Sequence, residues 1–277
     1  MDRHTAVSVT STPIPYWHVD AFSDRPFGGN QAAVMVLDAW LPDDVLVAIA
    51  AENLFAETAF VVKDETGEAD WELRWCTPTE EVRLCGHATL ASGHVLLNHH
   101  EWGKGREHVT FRTRLSGILE VHRDGQGYAL GLPCIPTERG EWPEAAALLG
   151  GAVLETWRNA NGYDLFLYEN EAAIRALDPD LRGLAALGNN LFVATAPGDA
   201  TDVVSRVFVP GAGVDEDPVT GAAHATLTPF WTTKLGCDAF TAHQASQRGG
   251  NLTCRREGDR AWLGGPCVTV VEGRFLL

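Results

Sequence analysis

The sequence predicts an α/β protein of two similar halves, each with strands around one apolar helix. Length is one reason, because 277 residues correspond to two domains or to two lobes of one unit. Patterning is another, since segments that alternate like strands recur in both halves around segments with helical spacing. The third reason is that short motifs of the first half reappear, in the same order, in the second half.

The composition excludes several classes of protein. Hydrophobic residues make up 45% and charged residues 21% of the chain, which is typical of a globular protein with real cores. The net charge of -16 argues against nucleic-acid binding, because phosphate backbones require clustered Lys and Arg. No apolar run is long enough to span a bilayer, and residues 1–22 lack the apolar core of a signal peptide.

The cysteines and histidines predict neither a metal site nor a disulfide framework. The six cysteines contain no C-x-x-C pair, and the ten histidines show no H-E-x-x-H or similar ligand spacing. We therefore expect no metal, no membrane association and a location in the reducing cytoplasm.

In the first half, two helices are expected among strands. Helical spacing predicts one helix over 43–51, and Gly86 opens an apolar helix over 88–97. The predicted strands are 16–22, 32–37, 58–62, 71–76, 109–111, 117–123 and 127–132.

The second half follows a Pro-bearing stretch, 133–143, which we interpret as the connection. This divides the chain into residues 14–132 and residues 133–277. The apolar helix of the second half is predicted over 223–235. The other predicted helices are 144–149, 171–177 and 181–187, and the predicted strands are 154–159, 164–168, 191–196, 203–209 and several more up to 275.

The two halves share a short sequence pattern: a strand segment with Arg and Pro, followed by a glycine that opens the apolar helix. Residues 74–78 precede Gly86 in the first half, and residues 206–210 precede Gly221 in the second. The Arg and the Pro of the two segments are each 132 positions apart, and the two glycines are 135 apart. Coincidence among common residues is the alternative to a structural repeat.

Each copy of this pattern places its glycine at the start of an apolar helix. A helix start exposes unpaired N–H groups and a partial positive charge, so two starts facing one cleft form a site for a carboxylate. Gly86 and Gly221 let a ligand approach the backbone closely. Ordinary helix initiation explains each glycine equally well when it is taken alone.

One carboxylate, Glu57, stands at the edge of an apolar strand segment, between Phe55-Ala56 and Ala59-Phe60. Partial burial raises a carboxyl pKa and suits a general acid or base that works near neutrality. The alternative is a solvated glutamate at a helix–strand junction.

Other titratable groups stand next to the predicted helix starts. Asp215, Glu216 and Asp217 come shortly before the second apolar helix, where acids favour the helix dipole. Capping is the simpler interpretation for Asp215 and Glu216, whereas Asp217 is placed to receive or position a proton. His87, in the first turn of the other helix, is a candidate for shuttling a proton, although a lone histidine is commonly structural.

Taken together, five segments in order resemble the PhzF-like phenazine-biosynthesis isomerases, which share the diaminopimelate epimerase-like fold. The resemblance spans nearly the whole chain. Its anchors are VDAF (19–22), GNQAAV (29–34), ETAF (57–60), LCGHATLA (84–91) and DEDPVTGAAH (215–224).

The resemblance implies two similar domains, each a barrel-like, mostly antiparallel sheet wrapped round a central helix, with the active site in the cleft between them. The C-terminal strand is a candidate for crossing over into the first domain. The resemblance also implies a homodimer, a small-molecule carboxylate as substrate, no metal and no organic cofactor.

By the same resemblance, Glu57 carries a proton between two carbons, and His87 and Asp217 assist it or orient the substrate. Backbone amides are expected to hold the substrate carboxylate, and Asn30 is expected to line the cleft. The expected substrate-binding residues are Asn30, Gly86, His87, Thr220, Gly221 and Ala222.

The chain departs from the family's usual motifs at three places. Ala222 replaces a serine, which removes a hydroxyl group but leaves the amide. Gln31 replaces a proline, which changes the stiffness of that loop, and Phe55-Ala56 replaces the usual Leu-Ser. The first two argue against assuming the phenazine precursor as the substrate.

The related racemases and epimerases use two cysteines, one before each helix-start glycine. Here Cys85 takes the first place and Thr220 the second, and a threonine hydroxyl is far too weak an acid to act as a thiolate does. A two-cysteine racemase is therefore disfavoured, and we interpret Cys85 as a small apolar filler.

The leading hypothesis is a cofactor-independent isomerase that shifts a proton, and with it a double bond, on a small cyclic or unsaturated carboxylate in secondary metabolism. Two alternatives remain open. One is an epimerase or racemase on the same fold, using Glu57 with Cys85 or Asp217. The other is a non-catalytic protein that binds a small molecule on an inherited enzyme scaffold.

Overall fold

The computed structural model describes residues 13–277 of the chain. The expectation that no signal peptide is present rests largely on residues 1–12, which lie outside the described residues. Over residues 13–277, no helix has both the length and the hydropathy needed to cross a bilayer.

The first domain is a sheet that surrounds one helix. Its strands are β1 (Ile14–Ala21), β2 (Asn30–Leu37), β3 (Glu57–Lys63), β4 (Trp71–Cys76), β5 (Glu81–Val82), β6 (His108–Thr113), β7 (Ile118–Asp124) and β8 (Gly127–Pro133), and its helices are α1 (Asp43–Asn53) and α2 (Gly86–Asn98). Helix α1 joins the parallel neighbours β2 and β3, and α2 joins the parallel neighbours β4 and β6. The other neighbours are antiparallel.

The second domain repeats this order. Its strands are β9 (Glu138–Gly140), β10 (Glu155–Arg158), β11 (Tyr163–Leu167), β12 (Leu191–Pro197), β13 (Val203–Phe208), β14 (Ala239–Gln244), β15 (Gly250–Glu257) and β16 (Arg260–Gly265), and its helices are α3 (Pro143–Leu149), α4 (Glu171–Arg175), α5 (Leu181–Ala186) and α6 (Gly221–Leu235). The parallel neighbours are β11 with β12 and β13 with β14, and α6 joins the second pair.

The last strand, β17 (Cys267–Phe275), lies in the first sheet although it ends the chain. It pairs antiparallel with β1, from Phe275 opposite Ile14 to Cys267 opposite Ala21. Strand β8 pairs with β16 and joins the two sheets. The predicted fold class is confirmed, since two similar, mostly antiparallel sheets each surround a central helix.

The stretch 133–143 is less irregular than predicted. It contains β9, which pairs with β10, and α3 begins at Pro143. A strand of three residues is too short to show an alternating pattern, so the sequence could not reveal it.

The central helix α2 is buried on all sides and α6 over most of its length, as their apolar sequences predict. In α2, every residue from Gly86 to Leu97 is buried. The polar side chains within it turn back to the helix: Thr89 donates to the carbonyl oxygen of Cys85, and Ser92 to that of Ala88. Small hydroxyl groups therefore enter the core without losing their hydrogen bonds.

The sequence pattern shared by the two halves corresponds to a structural repeat. Arg74 lies in β4 and Arg206 in β13, the strands that precede α2 and α6. Each guanidinium forms a bidentate pair, Arg74 with Glu81 and Arg206 with Glu216. Glu216 therefore does not cap α6, which was the simpler expectation, but fixes the loop that leads to the helix.

Candidate active site

The starts of α2 and α6 meet between the domains. A Cβ atom added to Gly86 would lie 2.9 Å from the Cα atom of Gly221, and the reverse distance is 2.8 Å. Only glycine permits two backbones to approach so closely. No side chain within residues 13–277 caps either helix, so the N–H groups of both first turns are left for a ligand.

A cavity of about 180 Å³ opens at this junction. It is lined by Ala56, Glu57, Leu84, Cys85, Gly86 and His87 of the first domain and by Tyr163, Leu191, Val209, Val214, Asp217, Thr220, Gly221 and Ala222 of the second. The positive ends of two helix dipoles therefore face the same space as an acidic side chain.

Glu57 is the first residue of β3 and lines the cavity. Its side chain keeps 20% of its surface exposed. The Oε2 atom is buried and lies 3.4 Å from His87 Nε2, yet it has no hydrogen-bond partner among the described residues. A buried carboxyl oxygen without a partner is unusual, and here it belongs to a side chain at a ligand-sized cavity.

The surroundings of Glu57 raise its pKa to about 7. Burial is the largest cause because it penalises the charged form, and the negative charge of Asp217 adds to it, whereas a hydrogen bond with Cys85 lowers the pKa. A carboxyl group with this pKa is divided between its acid and base forms at neutral pH. That suits a group that takes a proton and returns it.

His87 stands between Glu57 and Asn30 in the first turn of α2. Its Nδ1 atom lies 3.2 Å from Asn30 Nδ2, on the side of the ring away from the Glu57 contact. Burial lowers the pKa of His87 to about 4, so the imidazole is neutral at pH 7. The neutral ring lies next to Glu57 without adding a positive charge that would lower the pKa of that carboxyl group.

Asn30 lies one layer behind the cavity wall, not in it as expected. It is the first residue of β2, it is buried, and it is not among the residues that line the cavity. Its amide donates to Asp217 Oδ1 at 2.8 Å and to the carbonyl oxygen of Val219 at 2.9 Å. Asn30 therefore links the first domain to the loop that precedes α6.

Asp217 brings a second acidic group to the cavity, and hydrogen bonds hold it in place. Asn30 donates to one of its oxygens and the Thr220 hydroxyl donates to the other. Burial raises the pKa of Asp217 to about 6, and these two hydrogen bonds act in the opposite direction. Both oxygens of Asp217 thus have partners, unlike Oε2 of Glu57.

Gln244, the last residue of β14, fixes the same loop from behind. Its amide donates to the backbone carbonyl of Asp217 at 2.6 Å, and its oxygen accepts from the N–H group of Thr220 at 2.9 Å. The side chain is fully buried. The sequence around Gln244 did not indicate this role, because its partners lie 27 and 24 positions away.

Arg248 ties the two domains together beside the site. Its guanidinium pairs with the buried carboxylate of Asp20 at 2.8 Å and donates to the carbonyl oxygens of Gly28 and Gly29. These glycines lead directly into Asn30. Arg248 therefore holds, from the second domain, the loop that positions Asn30 in the first.

Cys85, which the sequence suggests is a small apolar filler, is buried in the same group as Glu57 and His87. Its Sγ atom is 3.5 Å from His87 Nδ1. Burial raises the pKa of Cys85 well above its usual value, which keeps the group a thiol. Donor atoms of these three residues lie within 4.8 Å of one another, and their chemical types also suit a metal ion.

The repeat places different residues at equivalent positions of the two domains. Strand β3 begins with Glu57 and pairs in parallel with β2, whereas β12 begins with Leu191 and pairs in parallel with β11. Cys85 precedes α2, whereas Thr220 precedes α6. The second domain therefore carries no counterpart of Glu57 at the start of its equivalent strand.

Most of the predicted site residues meet at the cavity. Seven of the eight predicted residues line it: Glu57, Gly86, His87, Asp217, Thr220, Gly221 and Ala222. No motif in the sequence indicated the apolar lining residues Tyr163, Leu191, Val209 and Val214. They are ordinary members of strands or turns, and a strand pattern does not show which end of the strand faces a ligand.

Sequence comparisons match this chain over nearly its whole length. The sequence model of a family described as phenazine biosynthesis-like proteins, PhzC-PhzF, matches residues 19–273. An uncharacterized isomerase of Pseudomonas aeruginosa is 45% identical over 265 residues, which are 95% of this chain and 99% of that protein.

Solved structures show the same fold. A crystal structure of a phenazine biosynthesis protein of the PhzF family from Enterococcus faecalis has a TM-score of 0.89 at 40% identity, covering 96% of this chain and 100% of that one. A hydroxyproline epimerase from Agrobacterium vitis has a TM-score of 0.61 at 13% identity, covering 96% and 93%. At that identity the likeness concerns the fold alone.

Proposed function

The chain belongs to the phenazine biosynthesis-like family and is an isomerase, and from that premise we propose that it moves a proton between two carbons of a small carboxylate without a metal or an organic cofactor. A double bond migrates with the proton. One observation carries this proposal: Glu57 lines the cavity with a pKa of about 7, and its Oε2 atom has no hydrogen-bond partner among residues 13–277.

The substrate carboxylate binds where α2 and α6 meet. The uncapped N–H groups of both first turns donate to it, and both helix dipoles favour its negative charge. Gly86 and Gly221 leave the backbone open to this approach. The carboxylate thus anchors the substrate with its body between the first residues of β3 and β12.

Glu57 in its ionised form takes a proton from one carbon of the substrate. The electrons of that C–H bond form a new double bond, the former double bond opens, and its electrons accept the returned proton at the second carbon. Nothing is oxidised or reduced. The charge that develops between the two steps spreads to the substrate carboxylate, where fixed N–H groups stabilise it.

Three neighbours support Glu57 in this role. His87 is neutral and lies 3.4 Å from Glu57, so it is placed to relay a proton. Asp217 and Asn30 are hydrogen-bonded to each other across the domain boundary and orient the two walls of the cavity. Their contribution is to hold the reacting geometry, which is worth a large share of a typical rate enhancement.

The unequal walls favour isomerisation over epimerisation. An epimerase removes a proton from one face of a carbon and returns one to the opposite face, which requires an acid–base group on each side. Leu191 stands where a counterpart of Glu57 would be, and Thr220 stands where a counterpart of Cys85 would be. Asp217, the other acidic group at the cavity, has hydrogen bonds to both of its oxygens and is assigned a positioning role, so Glu57 alone moves the proton in the proposed reaction.

The test is the Glu57→Gln variant, assayed by NMR for deuterium uptake from heavy water into a panel of unsaturated ring carboxylates. We expect a loss of at least about 1,000-fold in uptake, with ligand binding largely retained, because the amide keeps the shape but cannot take the proton. The matched control is Glu52→Gln, an exposed glutamate of α1, which should retain full activity. Full turnover in Glu57→Gln would refute the mechanism.

Cofactor independence has its own test, because Glu57, Cys85 and His87 are also suitable metal ligands. Dialysis against a chelator should leave turnover unchanged. Added zinc should inhibit, since it would occupy the carboxyl group that has to move the proton. Loss of activity on chelation, with recovery on adding a metal, would contradict this part of the proposal.

The remaining expectations are a homodimer, a cytoplasmic location and a role in secondary metabolism. The six cysteines, all within residues 13–277, are free, which supports a reducing compartment. Light scattering of the purified chain tests the dimer, and a monomer at micromolar concentration would contradict it.

A further inference from the structure

We infer that the substrate carries a single negative charge, its carboxylate, and that the rest of it is an uncharged and largely apolar body lying against the second domain. This inference rests on the proposed function, since it takes the carboxylate at the two helix starts as given. The second domain contributes Tyr163, Leu191, Val209 and Val214 to the cavity. We call these four residues the apolar wall.

The apolar wall lies at one end of the second sheet. Tyr163 and Leu191 are the first residues of β11 and β12 and stand opposite each other in that parallel pair. Val209 follows β13 and forms an isolated bridge with Val214. All four residues are only partly buried, so they present apolar surface that a ligand would remove from water at about 25 cal/mol per Å².

The charges around the cavity disfavour a second anionic group. Glu57 and Asp217 are acidic, His87 is neutral at pH 7 because burial lowers its pKa to about 4, and none of the described lining residues is Lys or Arg. A second carboxylate would therefore be buried beside two acids with no counter-charge. Burying an unpaired charge costs far more than apolar contacts return.

A cationic group on the body of the substrate is disfavoured as well. The surface that it would touch is the apolar wall, whose one polar side-chain atom is the hydroxyl oxygen of Tyr163. Ala222, at the start of α6, adds no hydroxyl group on this side. The wall therefore accommodates at most one hydrogen-bonding substituent on an otherwise apolar body.

The size of the cavity limits the body to a small one. Its volume of about 180 Å³ is below the roughly 300–1,000 Å³ of pockets that hold drug-sized ligands. A single ring or a short chain with one carboxylate is the class of molecule that this space and this lining accept.

Calorimetric titration of the wild-type protein with two ring acids tests the inference. Cyclohex-1-ene-1-carboxylate has one charge, and cyclohex-1-ene-1,4-dicarboxylate has the same ring with a second charge. We expect the monocarboxylate to bind at least about 100-fold more tightly, because only the dicarboxylate buries an unpaired charge. Equal or tighter binding of the dicarboxylate, or no binding of the monocarboxylate, would overturn the inference.

Variants of the apolar wall sharpen the test. Leu191→Arg puts a counter-charge in the wall and should reverse the preference, and Val214→Arg is the second variant in case the first does not fold. The matched control is Leu154→Arg, since Leu154 is 57% exposed and is not among the residues lining the cavity. An unchanged preference in the folded wall variants would contradict the assignment of the wall.

The same samples separate this inference from the proposed function. Tight binding of the monocarboxylate with no Glu57-dependent deuterium uptake from any ring acid would refute the reaction and leave the wall intact. Glu57-dependent uptake into the dicarboxylate, at a rate equal to that of the monocarboxylate, would support the reaction and refute the wall.

Discussion

The starts of α2 and α6 are equivalent in the fold and unlike in their chemistry. At α2, Cys85 and His87 flank the helix-start glycine and lie close to Glu57. At α6, Thr220 and Ala222 flank it instead. What the two starts share is backbone: a glycine, an uncapped first turn and a close mutual contact.

The proposed reaction has two tasks, carboxylate binding and proton transfer, and this difference separates them. Backbone N–H groups bind a carboxylate whatever the neighbouring side chains are, so both copies of the repeat retain the binding task. Proton transfer needs particular side chains. In the proposed reaction Glu57 of the first domain is the acting group, whereas Asp217, the acidic group of the second domain, is held by hydrogen bonds to both of its oxygens. The proposed reaction therefore depends on the asymmetry between the copies as well as on the shared helix starts.

The close contact between the two helix starts, which both domains share, is tested by adding a methyl group to either glycine. Gly86→Ala and Gly221→Ala should have equally large effects, because each new methyl group meets the opposite backbone at 2.9 or 2.8 Å. We expect a loss of kcat/KM of at least about 100-fold and of about 1–3 kcal/mol in the free energy of unfolding. Steady-state kinetics and urea denaturation measure these.

The control for this pair is Gly273→Ala, since nothing lies within 4 Å of a Cβ atom added there. That variant should change neither quantity. A large effect at one helix start and a small effect at the other would show that only one of them contacts the ligand.

The burial of Glu57 should lower the free energy of unfolding at alkaline pH. Because burial raises the pKa of Glu57 from 4.5 to about 7, the folded state binds this proton more tightly than the unfolded state, and stability falls as pH rises through this range. Glu57→Gln should remove that loss and raise the free energy of unfolding at about pH 8 by on the order of 2–3 kcal/mol. The gain should disappear near pH 4.

The corresponding change on the other side should act in the opposite direction. Glu216→Gln breaks the bidentate pair with Arg206 and should lower the free energy of unfolding by about 1 kcal/mol. Denaturation curves of both variants at several pH values measure this contrast. If Glu57→Gln is no more stable than the wild type at alkaline pH, burial does not penalise the ionised form of Glu57.

Cys85 and Thr220 hold equivalent positions but different contacts. Thr220→Val removes the hydroxyl that donates to Asp217, so kcat should fall about 10-fold and the pKa of Asp217 should rise further. Cys85→Ala should keep kcat within about threefold, because the thiol is not ionised, and should shift the pH–rate profile to higher pH as Glu57 loses a hydrogen bond.

A pH–rate profile of each variant measures these effects. If Cys85→Ala were as inactive as Glu57→Gln, two acid–base groups would be acting, and the epimerase alternative would be favoured.

The smallest expected effect is that of a substitution at Arg248, which links the two domains. Arg248→Lys keeps the charge but cannot serve Asp20, Gly28 and Gly29 at once. We expect KM to rise a few-fold with kcat nearly constant, because the cavity is aligned less well but the proton-transfer group is intact. The exposed Arg182→Lys is the control. A loss of stability with unchanged KM would mean that Arg248 has a structural role only.

The parts of the site that the sequence could predict are local in the chain. The helix-start glycines stand next to apolar helices, and Glu57 stands inside an apolar strand segment. The repeat between residues 74–78 and 206–210 then indicated that the two helices are equivalent. The glycine and glutamate signals depend on neighbours within a few positions, which is the range over which periodicity and caps act, and the repeat is found by comparing two such short segments.

The parts that it could not predict depend on distant pairing. Arg248 reaches Asp20 across 228 positions, and Gln244, at the end of β14, reaches its partners across the whole of α6. Asn30 was placed at the correct junction, but strand alternation fixes the side of a sheet and not the depth of a side chain behind a cavity. Leu191 lines the cavity because of where β12 begins, and one residue at a strand start has no pattern.

Strand β17 has a consequence for how the chain is made. It is synthesised after every strand of the second domain, yet its partner is β1, the first strand within residues 13–277. Until then β1 presents an unpaired edge, which invites pairing with other chains. The first domain therefore cannot finish folding ahead of the second, as N-terminal domains usually do during synthesis. The nascent chain completes its first sheet only once β17 has emerged, after the whole second domain.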